Sequence, residues 1–233
     1  MFVLFATPSY DHKVHLNYLT SFMNTMVVLS QNKITHALKC EGGITFIDHA
    51  RNVLVHKFLT EYPEATDLFF LDDDISWPPE AVLRLLNHDV DIVAGVYPLK
   101  SDDGGYPVSL LANASTGGLI EKDGLFKADF VPTGFMRMRR NVLEVMAEDQ
   151  PTYPYRQGDG TVLQIQNVFH TGYHDGERWG EDVDFCHRWI DKGGDIWVDP
   201  DIEFSHVGRK RWTGNFSTAL EGYRKAAFPK EAA

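Results

Sequence analysis

Three short apolar runs, at residues 2–6 (FVLFA), 67–71 (DLFFL) and 91–96 (DIVAGV), most constrain what this chain can fold into. Continuous runs of this length suit strands buried on both faces, as in a parallel sheet covered by helices. Helical spacing fills the intervals. Leu16, Leu19, Met23, Met26 and Val27 recur at threes and fours, and are expected to form the inner face of a first helix. Residues 33–39 are a second strand candidate. After Gly42-Gly43 a second helix would bury Ala50, Val53, Leu54 and Phe58. Pro78 and Pro79 mark the start of a third, with Val82, Leu85 and Leu86 inward. This alternation predicts an α/β, doubly wound sheet.

Beyond residue 100 the pattern loosens. Residues 106–131 read as hairpins, turning at Gly117-Gly118 and Asp123-Gly124. A short helix is expected over 139–147, and a loop covering a cleft over 151–160. A helix over 181–192 would bury Val183, Cys186, Trp189 and Ile190 and stop at Gly193-Gly194. One or two strands are expected over 195–206. There is no repeat and no long linker, so the expectation is a single domain over 1–233.

The charge narrows the function. With 22 basic and 33 acidic residues the chain carries −11, unsuited to general binding of nucleic acid or anionic membrane. An anionic substrate would need a bound cation or a local basic segment. Two cysteines, Cys40 and Cys186, make no disulfide framework and suggest a reducing compartment. The opening MFVLFATP lacks a basic leader and reads as a buried strand rather than a signal peptide. No run approaches the ~18 apolar residues of a membrane span. The expectation is a soluble, cytoplasmic protein with no integral membrane segment.

Three segments carry the chemistry. In FFLDDDISWPP, Asp72, Asp73 and Asp74 end an apolar strand, where open α/β sheets bind ligands. Their mutual repulsion calls for a divalent ion such as Mg²⁺ or Mn²⁺; a solvated, helix-capping turn is the plainer alternative. In GEDVDFCHRW, Glu181 and Asp182 fall in a first helical turn, where the dipole keeps a carboxylate ionised. That suits a general base, and equally suits simple helix stability. In FSHVGRKRW, His206 is a metal-ligand candidate. Arg209, Lys210 and Arg211 stand in a stretch from 204 to 220 without an acid, whereas residues 172–203 hold ten acids and three bases.

The order of TPSY, ARN, LDDD, TGF, GED and SHVG resembles a GT-A-fold glycosyltransferase of the family-two type, over about residues 3–212. The resemblance implies a Rossmann-like mixed sheet with helices on both faces. Residues 1–100 would form the nucleotide-sugar half and 101–215 the acceptor half with a C-terminal lid loop, with a helix and tail over 216–233. It implies that Thr7, Pro8, Ser9, Tyr10 and Arg51 hold the nucleotide. The DxD pair falls on Asp72 and Asp74 around Asp73, and Thr133, Gly134 and Phe135 line the sugar site. Asp182, beside Glu181, matches the catalytic base, and His206 matches a histidine completing metal coordination. Independently of the resemblance, Arg209, Lys210, Arg211 and Trp212, bracketed by Gly208 and Gly214, are expected to close over the diphosphate as a lid. The partners implied are a nucleotide-diphosphate sugar and a glycan or other hydroxyl acceptor, with inversion at the anomeric carbon.

Two other readings stay open. Asp72-x-Asp74-x-Ser76 also resembles the nucleophile motif of haloacid-dehalogenase-type phosphatases. A sugar- or nucleotide-binding module without turnover is the other, with Trp77, Trp179 and Trp212 as stacking platforms or as packing residues.

Overall fold

The computed structural model describes residues 1–174 and 176–227. In chain order the first half is β1 (Phe2–Ser9), α1 (Leu16–Gln31), β2 (Thr35–Gly42), α2 (Ile47–Glu61), β3 (Asp67–Leu71), β4 (Ile75–Ser76), α3 (Ala81–Leu86) and β5 (Ile92–Gly95). The short strands β6 (Ser109–Leu110) and β7 (Glu121–Lys122) precede β8 (Leu125–Phe130), β9 (Phe135–Arg139) and α4 (Arg140–Ala147). Two hairpins follow, β10 (Thr152–Arg156) with β11 (Val162–Gln166), and β12 (Gly172–His174) with β13 (Glu177–Trp179). The chain continues through α5 (Glu181–Asp191), β14 (Ile196–Asp199), β15 (Glu203–Val207), β16 (Arg211–Asn215) and α6 (Leu220–Ala227). The tail of the expected C-terminal segment, 228–233, lies outside the described residues.

The main sheet runs β2-β1-β3-β9-β5-β14-β8-β6, with β7 paired to β8. Alternate residues of β3 serve two cores. Leu68 and Phe70 face α2, α4 and α5, meeting Leu54, Phe58, Leu143 and Phe185. Phe69 and Leu71 face α1 and α3, meeting Tyr18, Phe22, Val82 and Leu85. Helices on both faces explain why the strands read as unbroken apolar runs.

β9 makes the sheet mixed. It lies antiparallel between β3 and β5, Phe69 opposite Arg137 and Val93 opposite the same residue. Its sequence, FMRMR, carries a charge at a sheet centre, which hides it from an apolar-run search. Arg137 is buried there because its guanidinium donates to the carbonyls of Val90, Leu85 and His88 and lies 3.6 Å from Asp67.

Several expectations need correction. The stripe Leu16, Leu19, Met23 and Val27 of α1 is exposed; the inner face is Tyr18, Ser21, Phe22, Thr25 and Leu29. Two buried aromatics outweigh the aliphatic stripe, and the two hydroxyls are satisfied by Trp77. Ser21 Oγ accepts from Trp77 N at 3.0 Å, and Thr25 Oγ1 from Trp77 Nε1 at 2.9 Å. Trp77 is therefore a core residue. β1 runs past Thr7-Pro8 to Ser9, because beyond Ala6 it pairs only with β2 and a missing N–H is tolerated on the open side. β2 begins at Thr35 because Lys33, at φ 55°, belongs to the turn before it.

Residues 151–160 are largely strand rather than loop. β10 pairs with β11, and Tyr153 Oη lies 2.7 Å from His49 Nδ1 of α2. On α5 the buried residues are Asp184, Phe185, Cys186 and Trp189, while Val183 and Ile190 are half-buried. The segment expected as a lid is mostly paired: β16 lies antiparallel to β15, and β15 to β4. Among the described residues no helix is long and apolar enough to cross a membrane.

Candidate active site

The three aspartates leave β3 at the carboxyl edge of the sheet, and their backbones are tied to three different segments. Asp72 N donates to the Gly134 carbonyl at 2.9 Å, His15 N to the Asp73 carbonyl at 2.9 Å, and Val207 N to the Asp74 carbonyl at 2.8 Å. β4 follows at once, and its pairing sets His206 opposite Ile75. That register brings His206 from 132 residues away to Asp74, with Nε2 3.3 Å from Oδ1.

Asp72 is held at both oxygens. Tyr97 Oη donates to Oδ2 at 3.0 Å and Arg51 NH2 lies 3.3 Å from Oδ1. The same guanidinium pairs with Glu181 through NH1. α2 thereby ties the first turn of α5 to the end of β3. Gly134 is required here, since a Cβ at that position would collide with the Asp72 carboxylate and the Tyr97 hydroxyl. Two buried polar atoms beside this network lack a hydrogen-bond partner, Arg51 Nε and Thr133 Oγ1.

Asp73 and Asp74 are electrostatically unlike. Burial, aided by the neighbouring Asp74 and Asp72, raises the Asp73 carboxyl above its ordinary range. Burial pushes Asp74 the same way, but contacts with His206 and Lys100 outweigh it and hold that carboxyl below the ordinary range. Burial also raises the Tyr97 hydroxyl, keeping it a donor to Asp72.

Arg51, Asp72, Asp73, Asp74, Lys100 and His206 line a cleft of about 350 Å³, together with Pro8, Ser9, Tyr10, Ile44, Thr45, Ile47 and Ala50, while Tyr97, Thr133, Gly134 and Glu181 stand behind it. Thr7 points elsewhere: its hydroxyl lies 2.6 Å from Tyr18 Oη inside the core. Asp182 is not among the lining residues; its Oδ1 accepts from Val183 N at 2.9 Å, and among the described residues it is in no ion pair. Arg209, Lys210, Arg211 and Trp212 also lie off the cleft lining, Lys210 paired with Asp102 and Trp212 Nε1 donating to Asp102 at 3.1 Å. Trp179 stacks on His174 at 4.0 Å.

Tyr97 and Lys100, in the stretch YPLK after β5, are site residues that the motifs missed. The signal available was a lysine and a tyrosine just past the end of a buried strand, where an α/β sheet presents its ligand groups.

No known family profile matches the chain, and no curated protein matches it. Among solved structures it is similar to A197 from STIV, with TM-score 0.55 and 19% identity over 93% of this chain and 91% of that one. A glycosyltransferase involved in glycosylation of the major capsid of PBCV-1 aligns at TM-score 0.34 and 12% identity, covering 60% and 62%. The 4-diphosphocytidyl-2C-methyl-D-erythritol synthase of Anaerococcus prevotii DSM 20548 aligns at TM-score 0.34 and 9% identity, covering 82% and 96%. The STIV likeness is one of fold, and the two weaker alignments carry no argument. The class defined by the fold is a Rossmann-like mixed α/β protein with its cleft at the carboxyl edge of the sheet.

Proposed function

We propose that the chain is a metal-dependent glycosyltransferase that moves a sugar from a nucleotide-diphosphate sugar to an acceptor hydroxyl. The observation that carries this reading is the facing pair of Asp74 and His206. His206 Nδ1 lies 2.8 Å from the Pro98 carbonyl, an acceptor, so Nδ1 carries the ring proton. That leaves Nε2 as the ring nitrogen facing the Asp74 carboxylate at 3.3 Å, so that on deprotonation the two would present a nitrogen and an oxygen ligand to one cation.

The donor set fits a hard divalent ion. Among the described residues no group of three or more His, Cys, Asp or Glu is assembled to enclose a metal. Asp74 and His206 would supply two ligands, which suits a hard ion whose other positions are left to water and to an anionic substrate. Such an ion, Mn²⁺ or Mg²⁺, stabilises the charge of a departing nucleoside diphosphate. Pro8, Ser9 and Tyr10 at the end of β1 form the wall for the nucleotide. Arg51 fixes the direction of Asp72 and Glu181. The resemblance assigns Asp182, next to Glu181 in the first turn of α5, as the base that would take the acceptor proton, with inversion at the anomeric carbon. A phosphatase with Asp72 as nucleophile is disfavoured because Tyr97 and Arg51 occupy both its oxygens.

A thermal-shift screen of UDP-, GDP-, CMP- and dTDP-sugars with and without Mn²⁺ tests the binding half. A ligand of the native state raises the melting point, and Asp74→Asn is expected to abolish the Mn²⁺-dependent part. Release of free nucleoside diphosphate tests the catalytic half and separates an enzyme from a binding module. Asp182→Asn is expected to lower that release by ~10² or more while the shift persists. No shift with any donor would refute the reading.

A further inference from the structure

Lys100 places a positive charge on the carboxylate that the proposed function assigns to a divalent ion. Its ammonium pairs with Asp74, whose other oxygen faces His206 Nε2 at 3.3 Å. The backbone around it is pinned. Leu99 N donates to the Gly105 carbonyl at 2.9 Å, closing the loop over 99–105. Asp102, in the same loop, is tied to the β15–β16 hairpin through Lys210 in its turn and Trp212 of β16. The lysine stem runs along Gly208, where a Cβ would stand 3.1 Å from both Lys100 Cδ and Trp212 Cζ3. The side chain is nonetheless 37% exposed, so the head group has room to move while its root does not.

We propose that Lys100 is an exchangeable cation. It neutralises Asp74 in the empty cleft, and it passes to the donor's diphosphate when a divalent ion takes Asp74. This rests on the glycosyltransferase reading and deepens it by naming the residue that couples metal to donor. An ammonium is a point charge on a flexible four-carbon stem, able to trade one anion for another where a guanidinium fork would be fixed. A divalent ion and an ammonium on one carboxylate repel at short range in a cleft partly shielded from water. A diphosphate supplies the negative charge that receives the displaced ammonium. Metal and donor then bind with positive coupling, each strengthening the other by the same factor.

Calorimetric titration with Mn²⁺ alone, with UDP or GDP alone, and with both together compares the native chain with Lys100→Met and Lys100→Gln. Melting curves show that each variant is folded. Both variants are expected to bind Mn²⁺ alone at least about fivefold more tightly than the native chain, the lower end of typical coupling between sites. They are expected to bind the nucleotide more weakly in the presence of Mn²⁺, and to show a smaller strengthening of Mn²⁺ binding by nucleotide than the native chain, keeping only the part that direct contact between ion and diphosphate gives. Equal Mn²⁺ affinity in all three proteins overturns the exchange and leaves the metal site standing. Nucleotide binding without any Mn²⁺ binding overturns the metal reading itself, and the exchange with it.

Discussion

At the scale of single residues, buried charges are placed where a partner from another element can meet them. Asp199, at the end of β14, is fully buried and accepts from Arg84 and His88 at the end of α3 and from Asp201 N at 3.1 Å. Burial alone would raise its carboxyl, but these partners outweigh burial and hold it below its ordinary range. Its folded value is therefore depressed relative to the unfolded chain. The stability it contributes is present above the ordinary carboxylate range and is lost as pH falls through the depressed value. Urea midpoints measured between about pH 5 and pH 2 are expected to fall steeply for the native chain. Asp199→Asn should start lower at neutral pH and show a shallower decline. An unchanged slope would mean that other carboxylates govern acid unfolding. The same logic reads Arg51, whose two carboxylates come from β3 and α5, as a fixed brace of the site.

At the scale of elements, α1 shows how a helix with two apolar stripes chooses its face. Spacing alone favours Leu16, Leu19 and Met23; the fold buries Tyr18 and Phe22. Phe22 lies edge-on to Phe5 at 5.5 Å and parallel to Tyr18 at 6.0 Å. Phe22→Ala is expected to cost about 3 kcal/mol, as truncation of a buried aromatic does. Met23→Ala, one residue on and 58% exposed, should stay within about 0.5 kcal/mol of the native value. Denaturant midpoints of the two variants decide it, and comparable losses would place the wrong face inward. The reason the sequence misleads here is that Ser21 and Thr25 break the true inner face. Only the backbone N and indole N–H of Trp77, 52 to 56 residues later, make those hydroxyls buriable.

At the scale of the whole molecule, two cores on either side of one sheet predict an order of opening. Amides of β1, β3, β5 and β9 are expected to exchange slowest with deuterium. The outlying hairpins β10–β11 and β12–β13, each a two-stranded sheet of its own, should exchange first. Early exchange in β9 would show that its insertion is the weak point of the sheet. The sequence by itself determined the buried strands at residues 2–6, 67–71 and 91–96, because apolar runs have few other places to go. It also determined that three carboxylates end β3, because that is a local fact of composition. Only the tertiary structure decided that β9 enters the sheet with Arg137 buried, since carbonyls from 85 to 90 accept its charge. It alone decided that β4 carries β15, and so His206, to Asp74. It alone added Tyr97, Lys100 and the Arg51–Glu181 pair to the site. Each of these depends on groups distant in sequence meeting at hydrogen-bond range, and neither spacing nor propensity encodes such a meeting.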